Sequence, residues 1–78
     1  MWWRRKPILS LSEILERLTV VETETIAKAN RFRASDPNLA QMLTKQANVF
    51  ANMKLLAVNL SKRDGITQKF SDTIRKLR

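Results

Sequence analysis

From Leu11 onward, apolar residues return every three or four positions. Leu11, Ile14, Leu15, Leu18, Val21, Ile26, Ala29 and Phe32 share one side of a 3.6-residue period, the mark of an amphipathic helix. Ser10-Leu11-Ser12-Glu13 stands directly before the first of them and has the spacing of a capping box: a hydroxyl for an orphan amide, and a glutamate three residues on to reach back. The first helix is therefore predicted over residues 10–34. The run Thr19-Val20-Val21-Glu22-Thr23-Glu24-Thr25 is rich in β-branched side chains, which favour strands. No second strand-like run exists to pair with it, so it is read as helix.

"ASDPN" stops this helix and starts the next, because Asp36 is a good N-cap and Pro37 suits the first helical position, where its missing N–H costs nothing. So short a link predicts an antiparallel hairpin, with helix 2 over 37–62. In that helix Leu39, Met42, Gln46, Val49, Met53, Leu56 and Leu60 alternate steps of three and four, and Leu43, Phe50 and Ala57 widen the stripe. Leu39, Met42, Leu43, Val49, Phe50, Met53, Leu56 and Leu60 are accordingly the expected core or interface. Helix 2, apolar over much of its circumference, is expected to be central, with a neighbour on each side. Gly65 in "KRDGI" closes it, and a short third helix over 66–77 places Ile66, Phe70, Ile74 and Leu77 on one face. The predicted fold is all-α: a helical hairpin plus a short third helix, forming a small three-helix bundle in one domain, behind an extended basic arm over residues 1–9.

Size and inventory narrow the function. Seventy-eight residues are near the limit at which one apolar core suffices without staples, and the chain has neither cysteine nor histidine, so disulfides and the usual zinc sets are excluded. Histidine acid–base chemistry, a cysteine nucleophile and a glycine-rich phosphate loop are equally missing. Glu13 and Glu16, a helix turn apart, read as acids placed near a helix N-terminus on a solvated face. The expectation is a protein that is not an enzyme and takes no cofactor, metal or small-molecule substrate. No stretch is apolar enough to span a bilayer, and "MWWRRKP" lacks the apolar run of a secretory signal, so a cytoplasmic location is the default expectation.

Charge adds direction. The net charge is +8, and the four glutamates form one block between residues 13 and 24. Cations collect elsewhere: Arg4, Arg5 and Lys6 in the arm; Lys28, Arg31 and Arg33 at the end of helix 1; Lys62, Arg63, Lys69, Arg75, Lys76 and Arg78 in the last third. In a hairpin the second cluster lies at the inter-helix turn and the third begins at the opposite end. Such a surface attracts polyanions: nucleic acid, an acidic protein or anionic lipid at a membrane periphery. Trp2 and Trp3, flanked by these cations and held off the helix by Pro7, suit stacking on bases, insertion at a lipid interface, anchoring in a protein groove, or packing onto the chain's own bundle. The leading expectation is an accessory subunit that packs through helix 2, as a homo- or hetero-oligomer, and offers its basic ends to nucleic acid.

The stretch from "DPNLAQML" through "TIRKLR", about half the chain, has a second affinity. A helical hairpin broken at a short Asp-Pro-Asn turn, with a long second helix leading to the end of the sequence, resembles the needle and inner-rod subunits of type III secretion systems. The resemblance rests on layout, without a specific motif, and the basic charge and Trp-Arg arm depart from that family. It implies the alternative function, a structural subunit of a multi-protein assembly, membrane-associated or needle- or rod-like.

Overall fold

A computed structural model describes residues 7–77. Its elements are α1 (Leu11–Phe32), α2 (Pro37–Arg63) and α3 (Gln68–Lys76), with no strand among the described residues. The fold is the predicted all-α hairpin with a short third helix. The Thr19–Thr25 run is helical throughout, and the Thr25 hydroxyl donates to the Val21 carbonyl one turn back (2.7 Å), which satisfies the group that would otherwise compete with the helix.

Local chemistry sets each boundary. The Ser10 hydroxyl oxygen accepts the Glu13 N–H (3.2 Å), while the Glu13 carboxylate reaches forward to Arg17 (3.1 Å) instead of back to the cap. Asp36 accepts the Leu39 N–H (3.1 Å), and Pro37 opens α2. At the far end of α2, Gly65 has φ +85° and donates its N–H to the Leu60 carbonyl at 2.7 Å, the left-handed closure that only glycine makes without strain. The third helix starts two residues later than expected. Thr67 is extended (φ −79°, ψ 157°) and its hydroxyl accepts the Phe70 N–H (3.1 Å), so Thr67 is the cap and Ile66 belongs to the linker, where it packs against the core.

The core corrects two expectations. First, α1 is the central element: both α2 and α3 pack on it, and it supplies the fully buried Ile14 and Leu18 together with Val21. Second, the face of α2 that meets α1 is offset by one residue from the predicted stripe. Its buried residues are Ala40, Ala47, Phe50 and Ala57, with Leu43 and Lys54 half-buried in the same three-four alternation. The reason is volume. Helix axes approach to about 8–10 Å, and a face crowded with Ile14, Leu18 and Val21 is filled to native density by small partners. Three alanines let the helices approach there, with Phe50 as the one large side chain packed between them. Of the expected core, Phe50 is buried, and Leu39, Leu43, Met53 and Leu60 are half-buried. Met42, Val49 and Leu56 are not core at all, at 67%, 47% and 48% exposed.

The segment before α1 is stitched to α3, so residues 7–9 are not part of a free arm. Leu9 is buried, and its N–H donates to the hydroxyl oxygen of Ser71 at 2.9 Å. Ser71 is fully buried on α3 beside the fully buried Ile74. Arg75 adds a second stitch by donating to the Pro7 carbonyl while it pairs with Asp72 (3.2 Å). Ser71→Ala would leave the Leu9 N–H buried and unpaired, a loss of about 1–3 kcal/mol. Thermal or denaturant unfolding checks this. Ser71→Thr, which keeps the oxygen, is expected to lose less.

Candidate functional site

The basic residues proposed from sequence fall into two groups at opposite ends of the hairpin. At the turn, Lys28, Arg31 and Arg33 in and just after the last turns of α1 are all exposed, and the nearby Asp36 carboxylate is engaged in capping α2. At the other end, Lys62 and Arg63 close α2 and the chain returns through Gly65 to α3, whose Lys69 and Lys76 lie seven residues apart on one face. All four are exposed. A 27-residue helix separates the groups by about 40 Å. The cations at the helix C-termini of α1 and α2 also oppose the local carbonyl dipoles, which favours holding them there.

Arg75 departs from this pattern. Its guanidinium is committed to Asp72 and to the Pro7 carbonyl, and it acts as a clasp for the N-terminal segment, not as an open anion site. Arg4, Arg5, Lys6, Trp2, Trp3 and Arg78 lie outside the described residues.

The acidic block is largely engaged within the fold. Glu13 pairs with Arg17, and Glu22 on α1 meets Lys54 on α2 at 2.6 Å, with Lys54 also within 3.5 Å of the Thr19 hydroxyl. The Glu22–Lys54 pair joins residues far apart in sequence, and no local spacing announces it. Lys54 falls in the alanine seam of α2, so its position in the three-four alternation is the one available signal. Glu13 and Glu16 line an open depression with Arg17 and Val20 on the outer side of α1, where a carboxylate remains solvated.

No family model, no curated protein and no solved structure matches this chain.

The second surface is the outer side of α2. Met42, Val49 and Leu56 recur every seven residues and are exposed, and half-buried Leu39, Met53 and Leu60 run alongside. Isolated exposed apolar side chains are normal on small proteins; here three of them are aligned along one helix face. Its polar border is unusual in composition. Asn38, Lys45, Asn52 and Asn59 line one flank, and none of the seven acidic residues of the chain lies anywhere on α2. Among the described residues no group of histidine, cysteine, aspartate or glutamate could hold a metal ion, and no helix is long and apolar enough to cross a membrane.

Proposed function

We propose that this chain is a non-enzymatic, basic helical subunit whose two cation-rich ends bind an anionic partner, with nucleic acid the best fit. The observation that carries this reading is the separation of charge. Three of the four glutamates lie along α1 against internal cations or beside Arg17, while Lys28, Arg31, Arg33, Lys62, Arg63, Lys69 and Lys76 are exposed at the two ends. Two basic groups about 40 Å apart exceed one turn of duplex, about 34 Å, so both ends can reach phosphates of one polymer. A folded protein or a small anion offers no such regular repeat of charge.

Binding of the whole chain to short duplex and single-stranded oligonucleotides, measured by fluorescence anisotropy across a salt series, tests the reading. The expected result is an affinity falling linearly with log salt, with a slope of about 0.7–0.9 per phosphate neutralised. Absence of binding at low salt would overturn it.

A second reading, membership of a protein assembly, is favoured by the stripe of Met42, Val49 and Leu56, since polyanion binding leaves no use for an apolar helix face.

A further inference from the structure

We propose that the polyanion is a nucleic-acid duplex lying along α2, where the row Asn38, Lys45, Asn52 and Asn59 faces it between the two basic ends. This rests on the reading of those ends as phosphate-binding, and adds the surface that joins them and the class of polymer that fits. Charge points to α2 first. All four glutamates of the chain lie on α1, with Glu16 and Glu24 exposed, whereas α2 has no acidic residue along its 27 positions. The two acids that flank α2 are its caps: Asp36 holds the Leu39 N–H, and Asp64 follows Arg63. A polymer that reaches both ends runs along the hairpin, and α2 is the side that does not repel it.

The row itself has a composition that packing does not require. Asn38, Lys45, Asn52 and Asn59 recur every seven residues, are all exposed, and extend over about 31 Å. Asparagine is one of the weaker helix formers, and exposed helix positions are where stronger ones can be used freely. Three asparagines in one exposed row thus weaken α2 without filling a core. Their amides donate to phosphate oxygens and can both donate to and accept from base edges.

Spacing selects a duplex. Each strand of a duplex returns to the same side after one turn, about 34–36 Å, and a duplex stays nearly straight over that length. The basic ends are about 40 Å apart on a continuous helix, a difference that lysine and arginine side chains span. Between two crossings of one strand, a duplex presents groove edges and phosphates of the other strand. There α2 presents neutral amides and the cation Lys45, while Lys54 is turned to Glu22. A single strand has no fixed repeat to match this spacing and has to be ordered as it binds.

The test uses the full chain and labelled duplexes of about 6 to 20 base pairs, with single strands of the same lengths, followed by fluorescence anisotropy. Affinity and salt slope are expected to rise up to about 12 base pairs, the length that spans about 40 Å at about 3.4 Å per pair, and then to level off. Asn52→Glu on α2 and Thr23→Glu on α1 add the same charge at exposed positions, and neither has an ionic residue three or four places away. On a duplex of about 16 base pairs, Asn52→Glu is expected to weaken binding about 10-fold. Thr23→Glu is expected to weaken it less than about 2-fold, since α1 stands about 8–10 Å from α2 and the screening length is about 8 Å. Circular dichroism is expected to show both variants as helical as the wild type. Equal losses in the two folded variants would overturn the path along α2. A duplex of about 8 base pairs bound with the affinity and slope of the long one would overturn the bridging of the ends, and tighter binding of single strands would overturn the duplex. No binding of any oligonucleotide by the wild type at low salt would refute the phosphate-binding reading as well.

Discussion

Phe50→Ala is expected to destabilise the chain by about 3–5 kcal/mol, enough to unfold much of a domain this small, while Leu56→Ala in dilute solution changes its stability little. The two residues are six positions apart on α2 and both looked like core from their spacing. Phe50 is the one large apolar side chain that α2 buries, lying in the cluster of Leu9, Ile14, Leu18, Val21, Ala57 and Ile74. The other buried positions of the α2 seam are alanines, so no neighbour on that helix can swing in to fill the cavity. Leu56 is about half exposed on the opposite border and leaves no internal void when truncated. Chemical denaturation of both variants beside the wild type measures the contrast. Equal losses for the two would place the seam of α2 where the leucine and methionine pattern suggested.

Ile74→Ala is expected to cost about 2–5 kcal/mol, and its effect should be regional. A nine-residue helix is too short to persist by itself, so α3 exists only as docked. Ile74 is its one fully buried apolar side chain, with Phe70 and Leu77 only partly covered. Release of α3 also removes Ser71 from the Leu9 N–H and Arg75 from the Pro7 carbonyl, so the segment before α1 loosens with it. Amide hydrogen exchange is expected to show protection lost in α3 and around Leu9, with the middle of the α1–α2 hairpin less affected. Uniform loss across all three helices would mean that α3 and the hairpin unfold as one unit.

Much of the fold was legible in the sequence because its boundaries depend on local chemistry. Ser10, Asp36, Pro37 and Gly65 act within five residues of themselves, and each does what its side chain or its φ preference dictates. The orientation of α2 was harder to read. Two three-four alternations run side by side on that helix, one with larger apolar residues through Met42, Val49 and Leu56, one with smaller residues through Ala40, Ala47 and Ala57. Hydrophobicity favours the first. Which one meets α1 is decided by the bulk of Ile14, Leu18 and Val21 on the facing helix, information held in another part of the chain. The same holds for Ser71, a polar residue whose burial makes sense only once Leu9 is beside it, and for the Glu22–Lys54 pair. On the functional side, the clustering of cations at two ends followed from the hairpin. The withdrawal of Arg75 into a structural clasp did not, because it depends on the carbonyl of Pro7, 68 residues earlier.

Whether the exposed basic ends form the binding surface is decided by comparing the salt dependence of oligonucleotide binding for the wild type and for the variant Lys62→Gln/Arg63→Gln/Lys69→Gln/Lys76→Gln. All four positions are exposed, so the helical fold is expected to persist, as circular dichroism would verify. The expected outcome is weaker binding at every salt concentration and a slope of log affinity against log salt that flattens by about 0.7–0.9 for each phosphate no longer neutralised. Unchanged affinity and slope in the folded variant would remove these cations from the binding surface and refute the proposed function.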